Sequence, residues 1–223
     1  MTSFAVWSFL AYLTNIDGVA WRPKDHDVNK MIKCLKGDPI NGYFTIKGKT
    51  KSYVYRESNR EEFLNVLCAA LAKKIGSAIL GEYAIVPVPN SSTIIANRNA
   101  FRTQEIADKV VGFSSGNGVT VPALRWKSPK LSSRKGGTRD PQALFDNLEM
   151  VAKPARPVVL FDDVMTTGAH MIACRQKLQE AGSSPVLHVV AGRSTRDQRI
   201  KPIEWVEEII DLGDADVAWD FDL

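Results

Sequence analysis

The sequence predicts an α/β fold, in which a central, mostly parallel twisted sheet is flanked by helices and extended by a hood from the two chain ends. Three observations predict it. Apolar runs of strand length recur at Tyr83–Val88, Val119–Leu124, Val158–Phe161 and Pro185–Gly192, as expected for strands buried on both faces. Segments of helical period separate them, and the order strand, helix, strand suits right-handed crossovers. An acidic pair, Asp162-Asp163, stands where the Val158–Phe161 strand should leave the sheet, and open α/β sheets bind ligands outside such strand ends.

Each element has a local reason. Residues Met1–Gly42 read as a helix-rich opening, with Phe4, Trp7, Phe9, Leu10 and Leu13 on one face. Trp21-Arg22-Pro23 interrupts it, and Asp27 is a cap for a helix carrying Val28, Met31, Ile32 and Leu35 that stops at Gly37-Asp38-Pro39. Tyr43–Ile46 and Ser52–Tyr55 flank a basic tip and read as a hairpin. Ser58–Glu61 opens a helix with Phe63, Leu64, Leu67, Leu71 and Ile75 at helical spacing. Pro87 argues that the Tyr83–Val88 strand ends irregularly or lies at an edge. The polar loop Pro89-Asn90-Ser91-Ser92-Thr93 follows, and a helix carries Ile106, Ala107, Val110 and Val111. Arg98 and Arg102, near its start, are either solvated or phosphate ligands.

Arg125–Pro141 is basic, aperiodic and long for a loop inside a compact domain, which reads as a functional lid or as a disordered surface loop whose charge aids solubility. Pro141–Glu149 reads as a turn or edge strand. A helix beginning near Ala169 or His170 should stop at Gly182 in a left-handed conformation. His188 reads as a core or sheet-edge histidine, and Ile203–Ile210 as a strand or short helix. The domain expectation is an N-terminal region, 1–80, as a candidate hood, and a core over 81–223 with an acidic tail.

Composition bounds the function. With 223 residues, 44% of them hydrophobic and 24% charged, the chain is an ordinary globular sequence. Cys34, Cys68 and Cys174 are far apart without metal-ligand spacing, and they read as buried thiols of a reducing compartment. No run is long enough to span a membrane, so a cytoplasmic location is expected. The net charge of +4 does not by itself imply nucleic acid, and the acidic end of the chain disfavours it.

The chemistry concentrates at Val158–Gly182. The two carboxylates suit hydrogen bonds from vicinal hydroxyls, and Thr166, Thr167 and the amides through His170 suit a phosphate at a helix N-terminus. Val-Val-Leu-Phe-Asp-Asp-Val-Met-Thr-Thr-Gly-Ala resembles the phosphoribosyl pyrophosphate (PRPP) motif of type I phosphoribosyltransferases. The resemblance implies a type I phosphoribosyltransferase-like fold. It places Asp162, Asp163, Val164, Met165, Thr166, Thr167, Gly168, Ala169 and His170 on PRPP, with Asp162 and Asp163 on the ribose hydroxyls. His170 stands where the family usually has Thr or Ser, and its imidazole could donate instead. Lys30–Asp38, the Val-Pro-Val-Pro strand end, Phe101–Gln104 and the Leu124–Phe145 arrangement are similar to the ComF branch, which is linked to competence and DNA uptake. The Cys-rich zinc finger that often opens ComF proteins is absent, since no Cys precedes Cys34.

The activity implied is phosphoribosyl transfer from PRPP to a nitrogenous acceptor, with pyrophosphate released. Pyrophosphate would rest on Pro89, Asn90, Ser91, Ser92 and Arg98. Arg134 and Lys135 are the catalytic lid candidates beside Asp162 and Asp163, with Lys130 and Arg139 as further basic lid residues. Mg²⁺ is the expected cofactor, held by Asp162, Asp163 and substrate oxygens. Trp205 or Trp219 could stack on the acceptor. The partners expected are PRPP and a small-molecule acceptor, with a homodimer left open. A regulatory module that binds PRPP or a nucleotide without turnover is the alternative.

Overall fold

The computed structural model describes residues 3–14, 20–131 and 136–211. Ten strands and five α-helices follow one another as β1 (Ser3–Leu13), α1 (Pro23–Lys36), β2 (Phe44–Lys47), β3 (Ser52–Tyr55), α2 (Arg60–Ala78), β4 (Tyr83–Pro87), α3 (Arg102–Gly112), β5 (Gly118–Thr120), β6 (Leu124–Trp126), α4 (Pro141–Asp146), β7 (Leu148–Met150), β8 (Val158–Met165), α5 (Ala169–Glu180), β9 (Pro185–Thr195) and β10 (Ile203–Asp211) among the described residues. Six strands form the main sheet in the order β10-β1-β9-β8-β4-β5, all parallel except β10. Helices cover both faces. Val159, Phe161, Val189 and Ala191 pack with residues of α1, α2 and α3 on one side. Val158, Leu160 and Val190 pack with α5 on the other. The α/β class and the mostly parallel sheet are as the sequence predicts.

The opening of the chain departs from expectation. Ser3–Leu13 is a strand, not a helix, and it lies between β9 and β10. Residues on both sides of position 80 therefore share one sheet. Phe4, Trp7 and Leu10 fit a helical period, but partners on both edges decide for the strand. A register shift between Ser8 and Leu10 then turns the inward side: Phe4 and Val6 face the α5 layer, whereas Leu10 faces the α1 layer.

Other boundaries move for identifiable reasons. α1 starts at Pro23, one turn before Asp27, because proline fits the first helical position and Arg22 pairs with the buried Asp25 at 2.8 Å. It ends at Gly37 with φ of 74°, as expected. The strand expected over Val119–Leu124 divides into β5 and β6, with Pro122 between them. β6 pairs with β7 in a separate ribbon. Arg125 and Trp126, expected to open the lid, are instead buried strand residues. Pro141–Asp146 is a short helix whose N-cap is Asp140, accepting from the Gln142 and Ala143 amides. Gly192 meets α1 so closely that a Cβ would lie 2.5 Å from Ile32 Cδ1. The three cysteines are buried and free, and His188 is a core residue.

Candidate functional site

β4 and β8 run parallel; β4 ends at Pro87 opposite Phe161, whereas β8 runs on to its own carboxyl end at Met165, so the acids expected at the strand's end lie within it. A cleft of about 590 Å³ opens at those carboxyl ends. β8 contributes Asp162 to Met165, and Thr166, Gly168 and His170 follow from the turn and the start of α5. The loop after β4 contributes Pro89 to Thr93, α3 contributes Arg102, and the end of α1 contributes Lys36 and Asp38. Side chains alternate along a strand, so adjacent acids on β8 leave it on opposite faces.

The two acids have different surroundings. Asp163 is 5% exposed, and its Oδ2 accepts from Arg102 Nε at 2.7 Å and lies 2.6 Å from Nη2. Its Oδ1 accepts from the Val164 amide at 2.6 Å. Arg102 Nη1 also donates to the Lys36 carbonyl at 3.3 Å, so one guanidinium joins β8, α3 and α1. Asp162 keeps some exposure and has no cationic hydrogen-bond partner among the described residues; its Oδ1 accepts from the Asp163 amide at 2.8 Å. Desolvation first, and the Asp163 charge second, raise its carboxyl well above the ordinary carboxylate range.

The turn and helix start form the second half of the cleft. Gly168 caps α5 with φ of 81°, a left-handed conformation that favours glycine, and it is buried against Met165 and Ile210. The amides of His170 and Met171 have no protein acceptor among the described residues, as at a free helix N-terminus. Thr166 is exposed in the cleft. Thr167 and Ala169 do not line it, and the Thr167 hydroxyl instead accepts from the Ala169 amide at 3.5 Å. His170 Nε2 lies 2.6 Å from Lys130 Nζ. Burial, and then the Lys130 charge, push the imidazole down to about 3, so a neutral ring accepts from the ammonium. With Nε2 accepting, the ring's proton is on Nδ1, so Nε2 is not the donor to an anion.

The remaining expected residues divide. Ser91 and Ser92 line the cleft, and their hydroxyls make no protein hydrogen bond among the described residues. Asn90 also lines it, but its side chain is committed: Nδ2 donates to Thr103 Oγ1 at 3.2 Å and Oδ1 accepts from the Thr103 amide at 3.3 Å. Its carbonyl accepts from Trp126 Nε1 at 2.8 Å. Asn90 thus fixes the loop to α3 and β6, so its side chain is not open to pyrophosphate. Arg98 does not line the cleft; its carbonyl accepts from the buried Arg125 guanidinium, which also takes the Asn97 and Asn99 carbonyls. Arg134 and Lys135 lie outside the described residues, as do Trp219 and the end of the acidic tail. Trp205 is turned away from the cleft and packs on Phe9 at 5.0 Å.

Lys36 and Asp38 were not among the expected ligands, and Arg102, weighed as either a solvated residue or a phosphate ligand, instead holds Asp163. Arg102 carried a weak signal, a cation near the helix after a polar loop. Lys36 and Asp38 carried none, because only the fold brings the end of α1 to this sheet edge. Among the described residues no cluster of three or more His, Cys, Asp or Glu could hold a metal ion. With Asp163 engaged by Arg102, Asp162 is the acid of the cleft without a cationic hydrogen-bond partner among the described residues.

No protein-family model matches the chain, and no curated protein matches it. Solved structures give distant similarities. Orotate phosphoribosyltransferase from Aeropyrum pernix is 18% identical, with a TM-score of 0.38 over 74% of this chain and 83% of that one. A hypoxanthine phosphoribosyltransferase from Staphylococcus aureus is 8% identical, with a TM-score of 0.39 over 65% and 70%. An APRTase from Giardia lamblia, complexed with 9-deazaadenine, is 14% identical, with a TM-score of 0.33 over 69% and 94%. Similarities of this size carry no argument about activity, and the α/β class rests on the strand order itself. No helix among the described residues is long and apolar enough to cross a membrane.

Proposed function

We propose that this chain transfers a phosphoribosyl group from PRPP to a nitrogen of a small-molecule acceptor and releases pyrophosphate. One observation carries the reading: the β8 acids, the free amides at the α5 N-terminus and the hydroxyl-bearing loop after β4 all face one cleft. In this reading Asp162 accepts from the ribose hydroxyls, and Asp163 is steadied from behind by Arg102. The α5 amides and Thr166 take the 5′-phosphate. Ser91, Ser92 and the loop amides take the diphosphate. The bond from the anomeric carbon to the diphosphate oxygen breaks as the bond to the acceptor nitrogen forms. The electron pair leaves with pyrophosphate, and the sugar passes through an oxocarbenium-like state.

Mg²⁺ would be held by Asp162 and substrate oxygens, and when bound it supplies positive charge to the leaving diphosphate. The described residues offer no dedicated cage, which fits an ion that arrives with its ligand. Lys36 and Asp38 bring the N-terminal region to the cleft, and they are our candidates for the acceptor side. Buried free thiols support a cytoplasmic setting. The ComF-like assignment rests on sequence motifs alone, and we do not extend it to DNA uptake.

The grip of Arg102 on Asp163 favours a second reading, a PRPP- or nucleotide-binding module without turnover. Pyrophosphate release from PRPP and Mg²⁺ across a panel of bases separates the two. Release that depends on one acceptor supports the enzyme, and PRPP binding without release under any acceptor supports the module.

A further inference from the structure

We propose that Lys130 is the cationic ligand at the phosphate end of the cleft, and that His170 is a positioning residue that presents it. The inference rests on the reading that the turn before α5 binds a phosphate monoester. It adds a residue that the motif itself does not contain.

The geometry is specific. Lys130 follows β6 by four residues, at the start of the basic loop, and its ammonium reaches the first turn of α5. There it lies 2.6 Å from His170 Nε2 and 4.6 Å from the centroid of Trp126. Trp126 is fully buried and fixed by its bond to the Asn90 carbonyl, and it meets the His170 ring edge-on at 5.8 Å. Lys130 and His170 both line the cleft. An aromatic face and a neutral imidazole acceptor therefore hold one ammonium in the cleft that the first turn of α5, with its free His170 and Met171 amides, also lines. An ammonium has three donors, and His170 takes one of them. The others are available to an anion bound at those amides, as charge-assisted hydrogen bonds. The imidazole has the opposite role: with Nε2 accepting, it has no proton to offer the anion from that atom.

Calorimetry on the full chain with two probes, ribose 5-phosphate and inorganic pyrophosphate, tests this. Lys130→Met should weaken ribose 5-phosphate by tenfold or more and change pyrophosphate by less than threefold, with an unchanged urea midpoint as the check on folding. His170→Leu should weaken ribose 5-phosphate severalfold, and His170→Gln, which restores an acceptor near Nε2, should recover most of it. In the Lys130→Met background, His170→Leu should add nothing, because it acts through the lysine. Wild-type affinity for ribose 5-phosphate in Lys130→Met, or a His170→Leu effect undiminished in that background, overturns the inference and leaves the PRPP reading standing. Failure of the wild-type chain to bind either ribose 5-phosphate or PRPP overturns both.

Discussion

Replacing Arg102 with Met removes the guanidinium from Asp163 and keeps most of the aliphatic stem. Two charge-assisted contacts to one carboxylate oxygen are lost, at 2.6 and 2.7 Å, and one to the Lys36 carbonyl at 3.3 Å. Breaking a fully buried ion pair costs about 3–5 kcal/mol, whereas an exposed pair is worth about 0.2–1 kcal/mol. Here the Asp163 side chain is 7% exposed but that of Arg102 is 40% exposed, so solvent screens one partner and not the other. An intermediate loss of about 2 kcal/mol follows for Arg102→Met. Asp163→Asn keeps the shape and removes the charge, and should cost less. Urea unfolding of both single variants and the double variant gives the coupling, expected near 1–1.5 kcal/mol at an unchanged slope. A coupling below about 0.5 kcal/mol would show that the pair behaves as a surface contact, and that Asp163 is not held by it.

Three further outcomes follow from the same surroundings. A carboxyl raised in the folded state gives stability that is fully present below its unfolded value and lost as pH rises through the folded one; Asp162→Asn should therefore raise the urea midpoint at pH 7 while weakening diol binding. Trp126→Phe removes one of the two donors to the Asn90 carbonyl, the Thr93 amide remaining at 2.9 Å, and opens space in a fully buried site, so a loss of about 1–2 kcal/mol in urea and weaker PRPP binding are expected. His188 is buried beside Phe4 and pushed down to about 4 by desolvation and then by Arg175, so its stabilising contribution is present above the ordinary imidazole range and lost as pH falls from there towards 4; His188→Gln should flatten that acid limb in thermal melts.

The legible part of this fold is the part whose signal is local. Val158–Phe161 is buried on both faces, so its four apolar residues announced a central strand, but the strand runs on through the acids to Met165 because β9 pairs with it there. Gly37 and Gly182 announced helix stops because only their backbone conformation was at issue. Ser3–Leu13 was not legible, since its residues satisfy two periods and the choice was made by β9 and β10, both nearly two hundred residues away on the order of chain separation. Within the site, the acids and the α5 turn came from one contiguous motif. The Arg102–Asp163 pair joins residues 61 positions apart, and no local pattern announces it. Asn90 misled for a related reason: a polar loop looks like a ligand surface until its side chain is found capping α3. The contact of His170 Nε2 with Lys130, 40 positions away, has no local signal either.

The most direct test of the central claim is isothermal titration of PRPP with Mg²⁺ into the wild-type chain and into Asp162→Ala. The account predicts binding to the wild type and a loss of at least about tenfold in the variant, as expected when a charged hydrogen-bonding partner of a diol is removed. Equal affinity in the two proteins would contradict it.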